Sequence, residues 1–230
     1  MTTHDISKTE RVEMYLKAVY TVQQAAPPVT ASKVAEFMGV ATPSAWEMLR
    51  RLEHQGLVRG AGEDGFHLTP AGLERATKVV RRLRLAERLL TDVLRLDLPR
   101  VYDEACKMEH VISEEVEARL ADVLGHPCTC PHGLPIPGES SEPPPSHTLL
   151  DAGPGTRGRV AAIPEEDSAM VAYLAGLGLV PGAAVDVEEI APFNGPLTIS
   201  VGGRRQAIGR EVAARIRVDL RERGNATPST

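Results

Sequence analysis

The sequence predicts a multidomain fold, mainly α with a C-terminal β domain: a winged helix-turn-helix, a two-helix dimerisation domain and a small SH3-like barrel. Three observations predict it. Residues 10–54 carry three successive runs of apolar side chains at helical spacing, followed by a glycine-rich hairpin. Residues 71–124 carry two long helical patterns too apolar to stand alone in water. After a Pro-, Gly- and Ser-rich stretch the texture changes to short alternating strands.

The first helix spans residues 10–24, with Val12, Leu16, Val19 and Tyr20 on one face and Pro27-Pro28 beyond its end. Thr30 is a good N-cap for a second, whose Val34, Ala35 and Met38 point inward and whose C-cap falls at Gly39. A third begins almost at once, with Pro43 in its first turn, an inner stripe of Ala45, Met48, Leu49 and Leu52, and Gly56 at its end. LVRGAGEDGFHLTPAG then reads as two short strands around turn residues, which completes the element order of a winged helix-turn-helix. Helices over 71–95 and 99–124 need partners, and a two-fold dimer supplies them. Strands in RGRVAAI, AAVDVEEI, LTISV and QAI, with a hairpin at Gly202-Gly203 and a short helix near 168–177, suit a small antiparallel barrel. The boundaries expected are 1–72, 73–140, a linker at 141–150, a barrel at 151–222 and a disordered tail at 223–230.

A chain of 230 residues holds several cores, and its net charge of −5 excludes a broadly basic coat for nucleic acid. Any DNA binding must come from a local basic face or from bound cations. MTTHDISKTE lacks the basic start and apolar run of a signal peptide, and no stretch is apolar for long enough to span a membrane, so a cytoplasmic protein is expected. Three cysteines are too few, and odd in number, for a disulfide framework. No phosphate-binding glycine loop, G-x-S-x-G elbow or H-E-x-x-H is present, so neither an enzyme nor a small-molecule substrate is expected.

Two clusters carry metal-ligand chemistry. Cys106, Glu109 and His110 fall at i, i+3 and i+4, one face of the helix expected there. A merely buried cysteine would have apolar neighbours at those spacings, not a carboxylate and an imidazole. CTCPHG brings Cys128, Cys130 and His132 together in a loop, without the paired spacing of a zinc ribbon. On the third helix Thr42, Pro43, Ser44, Glu47, Arg50 and Arg51 face outward, with Trp46 at the border. Short polar residues at the helix start suit base edges, and the arginines suit phosphates. Ser32 and Lys33 at the start of the second helix suit sequence-blind phosphate contacts.

EMYLKAVY, RLRLAERLLTDVL, DEACKMEHVISEEVEARL and HGLPIPG together make the first 140 residues resemble the diphtheria-toxin-repressor-like family of iron- and manganese-dependent regulators; the C-terminal part agrees mainly in pattern. The resemblance implies a homodimeric repressor that binds inverted-repeat operators of metal-homeostasis genes in double-stranded DNA when loaded with Mn(II) or Fe(II). Other divalent transition metals would substitute in vitro. It implies one metal site of Met14, Cys106, Glu109 and His110. At the second site, Leu83 and Tyr102 stand where iron-regulating members carry histidines, while the CPHG step resembles manganese-regulating members. Glu87, Cys130, His132 and an acidic residue of the C-terminal domain are then the implied ligands. That residue is Asp167, with Glu165 or Glu166 instead if Asp167 caps the short helix. Cys128 and His126 match no family ligand. Two other readings compete: a zinc-stabilised adaptor, which chelation would unfold, and a metallohydrolase based on Glu109, which would need an open coordination position and a substrate loop.

Overall fold

A computed structural model describes residues 8–25, 27–60, 62, 65–139, 145 and 147–221. The chain divides into two units, one made of residues up to Arg82 with Glu109–Val111, the other of Leu83–Met108 and the chain from Ile112 onward.

In the first unit, helix α1 (Lys8–Ala25) buries Val12, Tyr15, Leu16, Val19 and Val22 along one stripe. Helix α2 (Ala31–Met38) is capped at Thr30, whose hydroxyl accepts the Lys33 N–H at 3.3 Å. It ends at Gly39 in the left-handed conformation (φ 63°), which leaves room for the tight turn into α3 (Thr42–His54). Ala45, Met48, Leu49 and Leu52 of α3 meet Leu16, Val19 and Val34 in one core. Strands β1 (Val58–Gly60) and β2 (Phe66–Leu68) pair antiparallel as the wing. The Glu53 carboxylate ties that wing to α3 by accepting the Gly60 N–H at 2.9 Å.

Helix α4 (Pro70–Arg88) gives Ala76 to this core and continues as a π-helical segment, Leu89–Val93. In the second unit its Leu83 and Ala86, with Leu90, pack on Val101 and Ala105 of α5 (Leu98–Met108) and on Ile112. The single helix expected over 99–124 is two helices. α5 stops at Met108, residues 109–111 turn, and α6 (Glu114–Val123) starts afresh. Ser113 causes the restart: its extended backbone (ψ 164°) cannot continue a helix, and its hydroxyl accepts the Val116 N–H. Glu114, Glu115 and Glu117 favour the new N-terminus electrostatically. Val93, Leu94, Val116 and Val123 of this unit remain exposed.

The C-terminal sheet runs in the order β6-β5-β4-β3-β7, all antiparallel, with β3 (Arg157–Ala162), β4 (Ala184–Ile190), β5 (Leu197–Val201), β6 (Arg204–Ile208) and β7 (Arg217–Arg221). α7 (Ser168–Gly176) joins β3 to β4, and a one-turn α8 (Arg210–Ala213) joins β6 to β7. Val160, Val171, Leu174, Val185, Ile199 and Val218 form its core. Leu149 is buried in that core and donates its N–H to Ile216, so the barrel takes in residues assigned from sequence to the linker. The rest of that linker is mostly, and the 223–230 tail wholly, outside the described residues. Among the described residues no helix is long and apolar enough to cross a membrane.

Candidate metal centres

The second unit buries a cluster assembled from three segments. Glu87 comes from α4, Cys130 and His132 from the loop after α6, and Glu165 from the segment between β3 and α7. One ligand atom of each lies within 4.8 Å of the other three, and all four residues are buried. His132 Nδ1 is 3.3 Å from Glu87 Oε1, yet both imidazole nitrogens and both Glu87 oxygens lack an aligned hydrogen bond. Buried polar groups are normally satisfied, because an orphan forfeits its hydration with no return. Orphaned atoms of His132 and Glu87, with one ligand atom of each beside a thiol and a second carboxylate, suit a divalent cation of the Mn, Fe or Zn type.

Two arginines one turn apart on α4 hold the loop in place. Arg88 Nε donates to the Thr129 carbonyl at 2.6 Å, just before Cys130, and Arg84 Nη1 donates to the Pro135 carbonyl at 2.5 Å, beyond His132. Between them Cys130 N donates to Leu134 O and Gly133 N to Cys130 O, a tight turn that aims both side chains the same way. Gly133 is required there. Its φ is +85°, and a Cβ would come within 2.0 Å of the Ala161 carbonyl at the end of β3. Arg84 also grips Glu165 with two nitrogens, Nη2 to Oε1 at 3.0 Å and Nε to Oε2 at 3.3 Å.

The electrostatics follow from burial and crowding. Burial first, then Glu165, pushes the Glu87 carboxyl up. Burial, with Glu87 and Glu165 nearby, raises the Cys130 thiol well above its ordinary value. Burial opposes charge on His132, but the two carboxylates outweigh it and the imidazole moves up.

Of the three acidic residues left open from sequence, Glu165 lies in the buried cluster, and Asp167 and Glu166 do not. Asp167 caps α7, accepting the Met170 N–H at 2.9 Å, and pairs with Arg215 at 3.3 Å. Glu166 pairs with the same arginine at 2.8 Å. Leu83 lies in the apolar core and Tyr102 packs against it. Cys128 is exposed, and His126 lies between Asp122 and Glu139; neither joins the cluster.

Cys106 is half-buried near the end of α5 in the second unit, and Glu109 and His110, which belong to the first, lie in the turn directly after that helix. His110 stands between two carboxylates, Nδ1 2.9 Å from Glu13 Oε2 and Nε2 3.2 Å from Glu109 Oε1. Lys17, buried on α1, pairs with Glu109 Oε1 at 2.5 Å, while Glu109 Oε2 is buried with no hydrogen bond. Burial opposes the imidazolium, but hydrogen bonds to Glu109 and Glu13 carry His110 up to about 9. The bond to His110 lowers Glu13. Met14 is half-buried on α1, between Glu13 and Lys17 in sequence. Sequence reasoning missed Glu13, Lys17, Arg84 and Arg88; a lysine within the inward stripe of α1 was the available signal.

On α3, Thr42, Pro43, Ser44, Glu47, Arg50 and Arg51 are all exposed, as expected. Arg50 pairs with Glu53 and lies over the Trp46 ring, 5.9 Å from its centroid. Trp46 is half exposed and meets Phe66 of the wing edge-on at 5.5 Å. Ser32 is exposed and shares a hydrogen bond with Thr30, and Lys33 donates to the Pro28 carbonyl.

A winged helix-turn-helix in one unit, and in the other a helical segment and a small antiparallel sheet domain that bury a cluster of metal-ligand side chains, are the features of a metal-dependent regulator class. Residues 8–66 match the N-terminal DNA-binding domain of iron-dependent repressors, residues 69–138 their metal-binding and dimerisation domain, and residues 147–220 the FeoA domain. The iron-dependent repressor IdeR of Mycobacterium tuberculosis is 34% identical over 224 residues, covering 91% of this chain and 97% of its own. The diphtheria toxin repressor of Corynebacterium diphtheriae is 32% identical over 222 residues, with the same coverage. Among solved structures, a manganese-dependent transcriptional repressor in complex with manganese is 33% identical with a TM-score of 0.83, covering 90% of this chain and 98% of its own. ScaR with bound Zn2+ is 27% identical with a TM-score of 0.80 and the same coverage. The chain belongs to the diphtheria-toxin-repressor family of iron- and manganese-dependent transcriptional regulators. Members of that family are repressors and not enzymes, and none of these relatives supports the zinc-adaptor reading.

Proposed function

We propose that this chain is a cytoplasmic homodimeric repressor that, loaded with Mn(II) or Fe(II), binds inverted-repeat operators of metal-homeostasis genes. The observation that carries this reading is the set of buried, unsatisfied donor atoms on Glu87, His132 and Glu109. Glu87, Cys130, His132 and Glu165 hold one ion, and Met14, Cys106, Glu109 and His110 hold the other. Bound ions supply positive charge that lets facing carboxylates and a thiolate coexist in a low-dielectric interior. Met14 rides on α1, whose other face is part of the winged-helix core, so ligation there acts on the body that carries α3. Ser44 and Pro43 read base edges at the start of α3, whereas Arg50, Arg51, Lys33 and Ser32 contact phosphates. Thr42 and Glu47 flank the base-reading residues. The exposed valines and leucine of the helical segment support dimerisation, which sets half-sites one or more duplex turns of roughly 10 base pairs apart.

The test is binding to DNA fragments from the protein's own genome with Mn(II), anaerobic Fe(II) or chelator. Metal-dependent binding to an inverted repeat is expected, with His110→Ala abolishing it at saturating metal. Equal binding in chelator would refute the reading.

A further inference from the structure

Neither ring nitrogen of His110 is left to solvent, and the two are held differently. Nε2 faces Glu109, itself one of the residues proposed to ligate, and Nδ1 faces Glu13 Oε2 at 2.9 Å. When Glu109 and His110 both ligate, the proton between Nε2 and Glu109 has no place, because both lone pairs point at the same ion. The proton on Nδ1 keeps its acceptor. We infer that Glu13 is a positioning residue of the first metal site: it takes the Nδ1–H of His110, fixes the tautomer with Nε2 bare, and sets the ring's orientation.

The neighbouring ligand supports this by symmetry of construction. One turn further along α1, Lys17 grips Glu109 Oε1 at 2.5 Å and leaves Oε2 without a hydrogen bond. Thus Glu13 and Lys17, at i and i+4 on one helical face, each hold one of two consecutive ligand residues by the atom facing α1. A carboxylate that accepts the second N–H of a ligating imidazole makes the ring a better donor and removes its rotational freedom. Losing such a partner costs about 10–100-fold in metal affinity.

This rests on the metal reading of the site, and the experiment separates the two. In a Cys130→Ser background, Mn(II) titrations followed by electron paramagnetic resonance report the remaining site without DNA. Glu13→Ala is expected to weaken Mn(II) binding about 10–100-fold, whereas Glu13→Gln, whose amide oxygen still accepts Nδ1–H, recovers most of it. If Glu13 were itself a ligand, Gln would be as damaging as Ala, and the positioning role would be overturned. A parent protein that binds no Mn(II) would overturn the metal assignment itself. The readout that a purely structural role would not move is the His110 tautomer, from long-range 1H–15N spectra with Zn(II) as a diamagnetic probe. Nδ1 should stay protonated and Nε2 metal-bound in the parent and in Glu13→Gln. An unchanged tautomer and unchanged affinity in Glu13→Ala would refute the proposal.

Discussion

Replacing Lys17 by methionine removes an ammonium from one of the least exposed ion pairs in the protein, with Lys17 at 5% and Glu109 at 1% exposure. Methionine keeps most of the aliphatic stem, so packing changes little and the loss is electrostatic. A buried carboxylate deprived of its cation costs about 3–5 kcal/mol. His110 Nε2, 3.2 Å from the same oxygen, remains as partial compensation, which points to the lower end, about 3 kcal/mol or roughly a hundredfold in the unfolding equilibrium. Trp46, the single tryptophan, packs edge-on against Phe66 of the wing and reports unfolding of this unit by its fluorescence. Urea denaturation in chelator should therefore show Lys17→Met displaced by about 3 kcal/mol, and Lys17→Met with Glu109→Gln should recover much of the loss, because no uncompensated charge remains. A single variant within about 1 kcal/mol of the parent would refute the claim that this pair is essential to the metal-free fold.

Gly133→Ala meets both a φ of +85° and a 2.0 Å approach to the Ala161 carbonyl, so the loop must move; about 2 kcal/mol of stability and one ion per chain should be lost, read by denaturation and elemental analysis. Cys130→Ser should also lower stoichiometry by one ion per chain while exposed Cys128→Ser leaves it unchanged, and equal effects would contradict the assignment. For pH, His110 is raised from 6.5 to about 9 in the fold, so its contribution is complete below pH 6.5 and disappears as pH climbs through about 9. His132 is shifted the same way. Thermal unfolding in chelator should accordingly show falling stability from pH 6.5 to 9, and a rising curve would count against the raised imidazoles.

The winged helix was legible because its information is local. Apolar spacing, the Thr30 cap and Gly39 each act within a few residues, and the structure uses all three. The break after Met108 was concealed by the opposite circumstance: Met108, Ile112 and Val116 keep helical spacing straight through it, and only the cap at Ser113 with three following glutamates marks the new start. In the run Glu165-Glu166-Asp167 chemistry offers three equivalent carboxylates, and which one turns inward depends on Arg84 and Arg215, far away in sequence. Glu13 and Lys17 escaped notice for the same reason, since their partners lie 97 and 92 positions further along the chain. Local pattern marked residues of ligand type, whereas packing across the chain chose which side chains they meet.

The burial of Cys130 also has consequences for redox chemistry. Thiol oxidation and alkylation proceed through the thiolate and need access, and Cys130 has neither, being buried with its thiol held well above its ordinary ionisation range. Cys128, two residues away, is exposed, and Cys106 is half-buried. Peroxide or a maleimide should therefore attack the loop at Cys128 first, sparing the Cys130 sulfur of the metal-free protein from the irreversible rungs of cysteine oxidation. The same difference in access makes Cys128 a natural attachment point for a fluorophore, placing a reporter within two residues of Cys130 without consuming it.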